Sequence, residues 1–324
     1  MITFIVTTYN LEDWLLRRCL KSIITQGLED YEIIVVDDES AVSPQPVIEE
    51  FTSQANIRLY TQKHSRQGAA RNLALSHAQG EWVEFVDGDD YLFPHTVKHC
   101  LAMAESHALD LLMFGYKEVW GRDPQPAPSL IALHSPIMPG HEYMRRNTLF
   151  GSCCTLLFRR ALCDAMPYST PLRFTEHTYI EDEEFVTRLV WRAQRMATTG
   201  NTVYAYYQRS DSTTHNTSHQ HQRELVANYF TILRRLQAFE ATLVEPHEGV
   251  TRKVRFLAID ILRHALRAPQ WRQQWGEATQ QLHTLGLYPL PQAQYTYKYT
   301  LFRILSRTTI GREILHLIEN LLNR

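Results

Sequence analysis

The chain has 324 residues, 44% hydrophobic and 21% charged, with 13 Gly and 14 Pro, which excludes collagen-like, low-complexity and wholly disordered chains and fits one large or two modest domains. The net charge is −2, yet residues 1–115 hold 8 Lys and Arg against 17 Asp and Glu, a net of −9, and the remainder carries +7. Such a division suits an acidic half that handles cations and a basic half that faces an anionic partner. No apolar run approaches the roughly 18–20 residues of a membrane span, and the N-terminus has neither a basic n-region nor a cleavage site. A cytoplasmic chain starting at Met1 is the expectation. Five cysteines, odd in number and without a C-x-x-C, predict reduced and mostly buried thiols instead of a disulfide framework or zinc site.

In chain order, Ile2 to Thr7 is a β-branched run predicting a strand. A helical stripe follows (Leu15, Leu16, Cys19, Leu20, Ile23, Ile24), with Asn10 as its expected N-cap. Glu32 to Val36 is a second buried strand stopped by Asp37-Asp38-Glu39-Ser40. Ile57 to Tyr60 reads as a third strand, Gly68 to Ala78 as a helix, and Glu81 to Val86 as a fourth strand ending in Asp87-Gly88-Asp89-Asp90. Strands alternating with helices predict βαβ units and a parallel sheet, whose ligands bind beyond the carboxyl ends of the strands. Thr7-Thr8-Tyr9-Asn10, Asp37-Asp38 and Asp87-Asp89 all fall at those ends. Five prolines between 121 and 140 predict a surface excursion. Residues 180–195 read as a helix and Thr202 to Tyr207 as a strand. About 224–267 and about 299 to the end are helical in pattern.

The carboxylates after the fourth strand carry the sharpest chemistry. If that stretch stays extended, residues i and i+2 share a face and Asp87 and Asp89 point into one pocket. Paired carboxylates repel one another unless a cation lies between them, and an all-oxygen site suits Mg²⁺ or Mn²⁺ bridging a diphosphate. An Asp/Gly turn that merely ends a strand is the plain alternative.

Five motifs occur in order: Ile5-Val6-Thr7-Thr8-Tyr9-Asn10, Val35-Val36-Asp37-Asp38-Glu39-Ser40, Gly68-Ala69-Ala70-Arg71-Asn72, Phe85-Val86-Asp87-Gly88-Asp89-Asp90 and Glu181-Asp182-Glu183-Glu184-Phe185. Together, over roughly residues 1–210, the chain resembles a family 2 glycosyltransferase of the GT-A fold, the bacterial type that builds surface polysaccharides. The resemblance implies an α/β fold: a Rossmann-like, mostly parallel nucleotide-binding sheet flanked by helices, with a C-terminal helical region. It divides the chain into a nucleotide-sugar-binding half at 1–115, an acceptor-binding half at 116–215 and helices at 216–324. By the same resemblance, Thr7 and Tyr9 hold the nucleoside, Asp38 accepts the N3–H of uracil, and Arg71 reaches the nucleotide. Asp87 and Asp89 hold the metal (Mn²⁺ or Mg²⁺) and the donor's ribose and phosphates, and His215 is a further candidate ligand. Asp182, assisted by Glu181, is the implied catalytic base. Four acids at a helix N-terminus also have an ordinary electrostatic explanation in the helix dipole.

The implied reaction is inverting transfer from a nucleotide sugar, a UDP-sugar above all, to a hydroxyl of a glycan or lipid-linked acceptor. A sugar nucleotidyltransferase lacks its Gly-rich basic N-terminal loop here, and a non-catalytic sugar-nucleotide-binding module leaves the Asp87/Asp89/Asp182 set unexplained. No G-x-G-x-x-G opens a helix and no P-loop is present, which disfavours NAD binding and P-loop chemistry, and the half that holds the site has no basic, aromatic-interleaved stretch for nucleic acid. Residues 298–324 carry a net of +3 among eleven Leu, Ile and Phe. They predict either a basic amphipathic helix peripheral on the inner face of the cytoplasmic membrane, or one folded onto the catalytic domain or paired in a homo-oligomer.

Overall fold

The structure, a computed structural model, describes residues 1–126, 130–166, 170–209, 219–244 and 247–322. Its elements are β1 (Ile2–Thr8), α1 (Asp13–Ile24), β2 (Tyr31–Asp37), α2 (Gln45–Glu49), β3 (Ile57–Thr61), α3 (Arg66–His77), β4 (Trp82–Asp87), β5 (Tyr91–Leu92), α4 (Thr96–Ser106), β6 (Leu111–Val119), α5 (Gly140–Arg146), β7 (Leu156–Arg159), α6 (Glu181–Arg192), β8 (Met196–Tyr207), α7 (His219–Glu240), α8 (Glu248–Arg267), α9 (Trp271–Thr284), α10 (Tyr297–Leu305) and α11 (Thr309–Leu322). Two compact units divide them: residues 1–140 with 150–212, and residues 141–149 with 213–324.

The first unit is built on one mixed sheet in the order β3-β2-β1-β4-β7-β6-β8-β5. β1 is buried along its whole length and is the strand around which β2 and β4 pair in parallel. Its register sets Thr8 beside Asp37 and Thr7 beside Asp87, so the polar carboxyl ends of three strands converge. β3 extends this parallel half, and β6 and β8 also pair in parallel. The pairings of β7 with β4 and β6, and of β5 with β8, are antiparallel. The proline-containing excursion is tied down at two points, by Leu133 and Met138 bridging to Thr199 and Met196.

Two local expectations change. Asn10 does not cap α1, whose N-cap is Glu12. Asn10 instead adopts a positive φ of 48° and clasps the next strand end, its N–H donating to Ser40 Oγ and its Oδ1 accepting from Ala41 N–H, both at 2.8 Å. The stretch after β4 is also not extended. Asp90 N–H donates to Asp87 C=O at 2.9 Å, closing a turn that aims Asp87 and Asp89 differently.

The second unit is helical. α7, α8 and α9 pack around buried Leu233, Leu236, Leu257, Ile261, Leu262 and Leu282. The 141–149 segment joins it through Arg252 and Lys253, which donate to the carbonyls of Arg145 (3.0 Å) and Leu149 (3.1 Å). All five cysteines are buried and free, as their spacing predicts.

Candidate active site

The small residues that open α3 allow the site to form. A Cβ on Gly68 would lie 2.9 Å from Thr175 C=O and 3.1 Å from Glu181 Cγ, so only glycine lets α3 approach the start of α6 this closely. One turn later, Arg71 is 2% exposed and aims inward. Its Nη1 reaches Asp182 Oδ1 at 2.5 Å and Glu181 Oε1 at 3.1 Å, and its Nη2 reaches Asp87 Oδ1 at 2.9 Å. Burial works against the guanidinium's charge, but Asp182, the Cys153 thiol and Asp87 outweigh it and hold its pKa above the ordinary value. Arg71 is therefore a buried tie between carboxylates of α6 and β4. The sequence reading has Arg71 reaching the nucleotide; here its guanidinium is engaged with three protein carboxylates, Asp87 among them.

The two acids at the start of α6 differ. Asp182 keeps 21% of its side chain exposed and Glu181 only 4%. Asp182 Oδ2 also accepts the Cys153 N–H at 3.2 Å. Burial raises its pKa first of all, Arg71 pulls it back, and the Asp87 charge raises it again. Glu181 is pushed up to about 8 by burial and by Asp182, with Arg71 opposing. Glu181 is the buried partner, its carboxyl pushed toward the protonated form, and Asp182 the one with access to a ligand. Glu184, the fourth acid, has a structural task, taking the Thr175 hydroxyl and Arg188.

Around the turn after β4, Asp89 lies 3.3 Å from Arg209 Nη1, at the end of β8. Burial and the neighbouring Asp87 push the Asp89 carboxyl up to about 6. Asp90 is raised well above its ordinary value by burial and by Asp89 and Asp87. It is held by the Tyr204 hydroxyl (2.6 Å) and the Tyr207 N–H (2.7 Å). Arg18 of α1, packed over the rings of Tyr207, Tyr91 and Trp14, donates to the Asp89 carbonyl at 2.8 Å and pins the turn from behind.

At the other end, Thr7 Oγ1 accepts from Gln67 Nε2 at 3.2 Å, and the same amide donates to Asp87. Tyr9 is 46% exposed, one ring face stacked on His64 at 4.3 Å. Asp38 is fully engaged: Oδ1 accepts from Gln62 Nε2 (2.7 Å) and Ser65 N–H (2.9 Å), Oδ2 from Arg66 N–H and His64 Nδ1 (both 2.9 Å). A carboxylate has about four acceptor sites, so here Asp38 caps the N-terminus of α3, and a uracil N3–H must displace Gln62 or His64 to reach it.

Among the described residues, no group of three His, Cys, Asp or Glu side chains converges to hold a metal. The donor set still fits a hard cation. Mg²⁺ and Mn²⁺ use one or two carboxylates and take remaining oxygens from substrate phosphates and water, and Asp89 is a partly exposed carboxyl on the acidic turn, raised first by burial and then by the neighbouring Asp87. His215 lies outside the described residues. Sequence reasoning missed Gln67, Cys153, Tyr204 and Arg209. Only Arg209, a cation closing a strand opposite an acidic turn, left a readable signal.

The glycosyl transferase family 2 profile matches residues 3–166. The putative glycosyltransferase EpsH of Bacillus subtilis is 28% identical over 209 residues, 63% of this chain and 60% of EpsH. The poly(ribitol-phosphate) beta-N-acetylglucosaminyltransferase TarS of Staphylococcus aureus is 28% identical over 207 residues, 62% of this chain and 34% of TarS. The match thus spans less than two thirds of either relative. Among solved structures, TarS 1–349 in complex with UDP-GlcNAc has a TM-score of 0.68 at 20% identity, covering 98% of this chain and 90% of that one. A Pyrobaculum calidifontis mannosyltransferase in complex with GDP-Man and Mn²⁺ has a TM-score of 0.55 at 14% identity, covering 100% and 87%. At those identities the likeness speaks for the fold alone, which is the GT-A arrangement of a mixed sheet flanked by helices.

Proposed function

The chain belongs to glycosyl transferase family 2, and from that premise we propose that it transfers a sugar from a UDP-sugar to a hydroxyl of a glycan or lipid-linked acceptor in surface polysaccharide synthesis, inverting the anomeric centre. The observation that carries this reading is the Arg71 tie, which holds a partly exposed carboxylate, Asp182, in fixed relation to the acidic turn after β4. TarS, a relative, is described in complex with UDP-GlcNAc, which favours uridine over guanosine donors.

In this reading Tyr9 offers a ring face to the base, and Thr7 lies beneath the nucleoside. Asp87 and Arg209 flank the ribose and diphosphate. Asp182 takes the proton from the acceptor hydroxyl, whose oxygen forms the new bond to the anomeric carbon as the bond to the diphosphate oxygen breaks and its electron pair leaves with the nucleotide. Asp89 is the residue that would hold Mn²⁺ or Mg²⁺, and the bound ion would neutralise charge growing on the leaving diphosphate. Arg71 keeps the Asp182 carboxylate oriented and opposes the rise that burial imposes on its pKa, while Glu181 beside it is pushed toward its neutral form.

The second unit brings a contact face. Tyr297, Leu301 and Ile304 of α10 form one exposed apolar stripe, and Ile310, Ile314, Leu317, Ile318 and Leu321 of α11 form another, at i, i+4, i+7, i+8 and i+11. The opposite side of α11 folds back on α8, where Arg263 and Arg267 hold Glu319 at 2.7 and 2.6 Å. Glu313 is paired with Arg272 at 2.7 Å, while Lys298 and Arg307 stand exposed. With its acids neutralised and its bases outward, this face suits an anionic leaflet. No described helix is long and apolar enough to cross a membrane.

The reading is tested by screening UDP-, GDP- and dTDP-sugars for nucleotide release with and without Mn²⁺ or Mg²⁺, and by the anomeric configuration of the product. Release from UDP-sugars that needs the ion and gives inverted product supports it; release from none of the panel rejects it.

A further inference from the structure

β6 and β8 stand on the far side of β4 from the strands that carry Thr7 and Asp38. Their register pairs Tyr116 with Tyr204 and Glu118 with Tyr206. Paired residues, and residues two apart, share a face of the sheet, so Tyr116, Tyr204 and Tyr206 look the same way. Tyr204 identifies that side: its hydroxyl accepts from Asp87 N–H at 3.1 Å and donates to Asp90 at 2.6 Å. The face is that of the acidic turn.

The Tyr116 ring stacks on Phe150, with centroids 5.3 Å apart and planes 12° from parallel, and meets Tyr206 edge-on at 6.4 Å. Phe150 in turn is anchored to the candidate base. A Cβ on Gly151 would lie 2.1 Å from Glu183 Oε2, so the chain passes directly over the first turn of α6. Cys153 N–H then donates to Asp182 Oδ2. Phe150 and Cys153 are three positions apart, a reach of at most about 11 Å. One end of the ring stack is therefore linked to the carboxylate turn through Tyr204, and the other to Asp182.

Tyr116 and Phe150 remain 42% and 49% exposed. Large rings left half open at the rim of a polar site mark a place where something apolar docks. The occupant must present a hydroxyl to Asp182 and an apolar surface to flat rings, and a pyranose has both: equatorial hydroxyls at its edge and axial C–H groups on its face. Exposed Glu118, two residues from Tyr116 and on the same face, offers hydrogen bonds to that edge.

We propose that Tyr116 and Phe150, with Tyr206 edge-on, form an acceptor platform that binds a β-configured, all-equatorial pyranose through its C–H face. The proposal rests on the glycosyltransferase reading for its choice of a sugar.

Saturation-transfer NMR on the full chain, with UDP and methyl β-D-glucopyranoside or its N-acetylglucosaminide as probes, tests both. In the wild type, aromatic saturation should reach H1, H3 and H5 of at least one glycoside and the uracil H6. Tyr116→Ala and Phe150→Ala should weaken glycoside binding at least tenfold and leave the uracil signal intact, with Tyr116→Phe close to wild type. Glycoside signals that persist in the double alanine variant overturn the platform, as does their absence in a wild type whose uracil saturates; both leave the donor reading standing. Glycoside signals that depend on the two rings while uracil never saturates keep the platform and overturn the donor reading.

Discussion

Arg71 Nη1 lies 2.5 Å from Asp182 Oδ1, across 111 residues of sequence, and the same guanidinium holds Asp87 at 2.9 Å. The candidate base and the acidic turn are thus registered by one buried side chain, which sets the first prediction. Arg71→Ala leaves three carboxyl groups facing one another, and removing one partner of a buried ion pair costs about 3–5 kcal/mol. Arg71→Lys keeps the charge but not the fork that spans both sides. Urea unfolding should find Arg71→Ala destabilised by that amount. Arg71→Lys should be folded with kcat reduced far more than its affinity for UDP. A fully active Arg71→Lys would mean the fork positions nothing.

Asp182 and Glu181 separate by pH as well as by exposure. Both carboxyls are raised, Glu181 to about 8, so a base that must be ionised loses activity on acidification through a pKa above the ordinary Asp value. Asp182→Asn should slow transfer by a factor on the order of 10²–10⁴ with donor binding unchanged. Glu181→Gln imitates the protonated state and should retain most activity at pH 7. A reversal of these two results in steady-state assays would move the base to Glu181.

Glu84 gives a stability prediction remote from the chemistry. It is fully buried on β4, neither carboxylate oxygen has a hydrogen-bond partner among the described residues, and burial raises its pKa well above 4.5. The folded state therefore keeps a proton that the unfolded chain releases once pH exceeds about 4.5, and stability falls as pH rises from there. Glu84→Met, close in volume, should stabilise the protein by about 1–3 kcal/mol, the usual cost of an unsatisfied buried polar group. The gain in melting temperature should be larger at pH 8 than at pH 5. A gain independent of pH would show that ionisation is not its source.

What could be read from the sequence was whatever burial imposes on residue type. β1, β2 and β4 are buried on both faces and so appear as apolar runs whose polar ends locate the site. β6 is buried at Leu111 and Leu112 but exposed from Tyr116 to Glu118, and β8 is interrupted by Gly200, so neither shows a clean period. The inward turn of Arg71 and the filling of Asp38 depend on partners sixteen or more residues away. Cys153 acts through its N–H, a group every residue but proline carries.

Asp89 tests the metal. Its carboxyl is raised to about 6 by burial and then by Asp87, with Arg209 3.3 Å away in opposition, and a divalent cation would favour its ionised form as Arg209 does. Asp89→Asn keeps the shape and removes one charge. Calorimetric titration should find that UDP binds the wild type more tightly with Mn²⁺ or Mg²⁺ than in chelator, and that the variant binds UDP equally in both. Transfer at the wild-type rate by Asp89→Asn in chelator would remove the metal from the mechanism.

The exposed apolar face of α10 and α11 yields the last prediction. Eight Tyr, Leu and Ile residues stand 40–76% exposed on it, more apolar surface than scattered surface hydrophobics account for. Each basic residue near an anionic surface contributes about 1 kcal/mol, and Lys298 and Arg307 have the exposure to do so. This attraction is screened beyond a Debye length of roughly 10 Å at 0.1 M salt. The full chain should sediment with phosphatidylglycerol-containing vesicles at low salt, less at 0.5 M salt, and not with phosphatidylcholine alone. Ile310→Ser, Leu317→Ser and Leu321→Ser together should abolish sedimentation without altering UDP binding, because α11 keeps its Glu319 ties to Arg263 and Arg267. A wild type that ignores anionic vesicles, yet forms a dimer that the triple variant loses, assigns the face to a second copy of the chain and rejects the membrane.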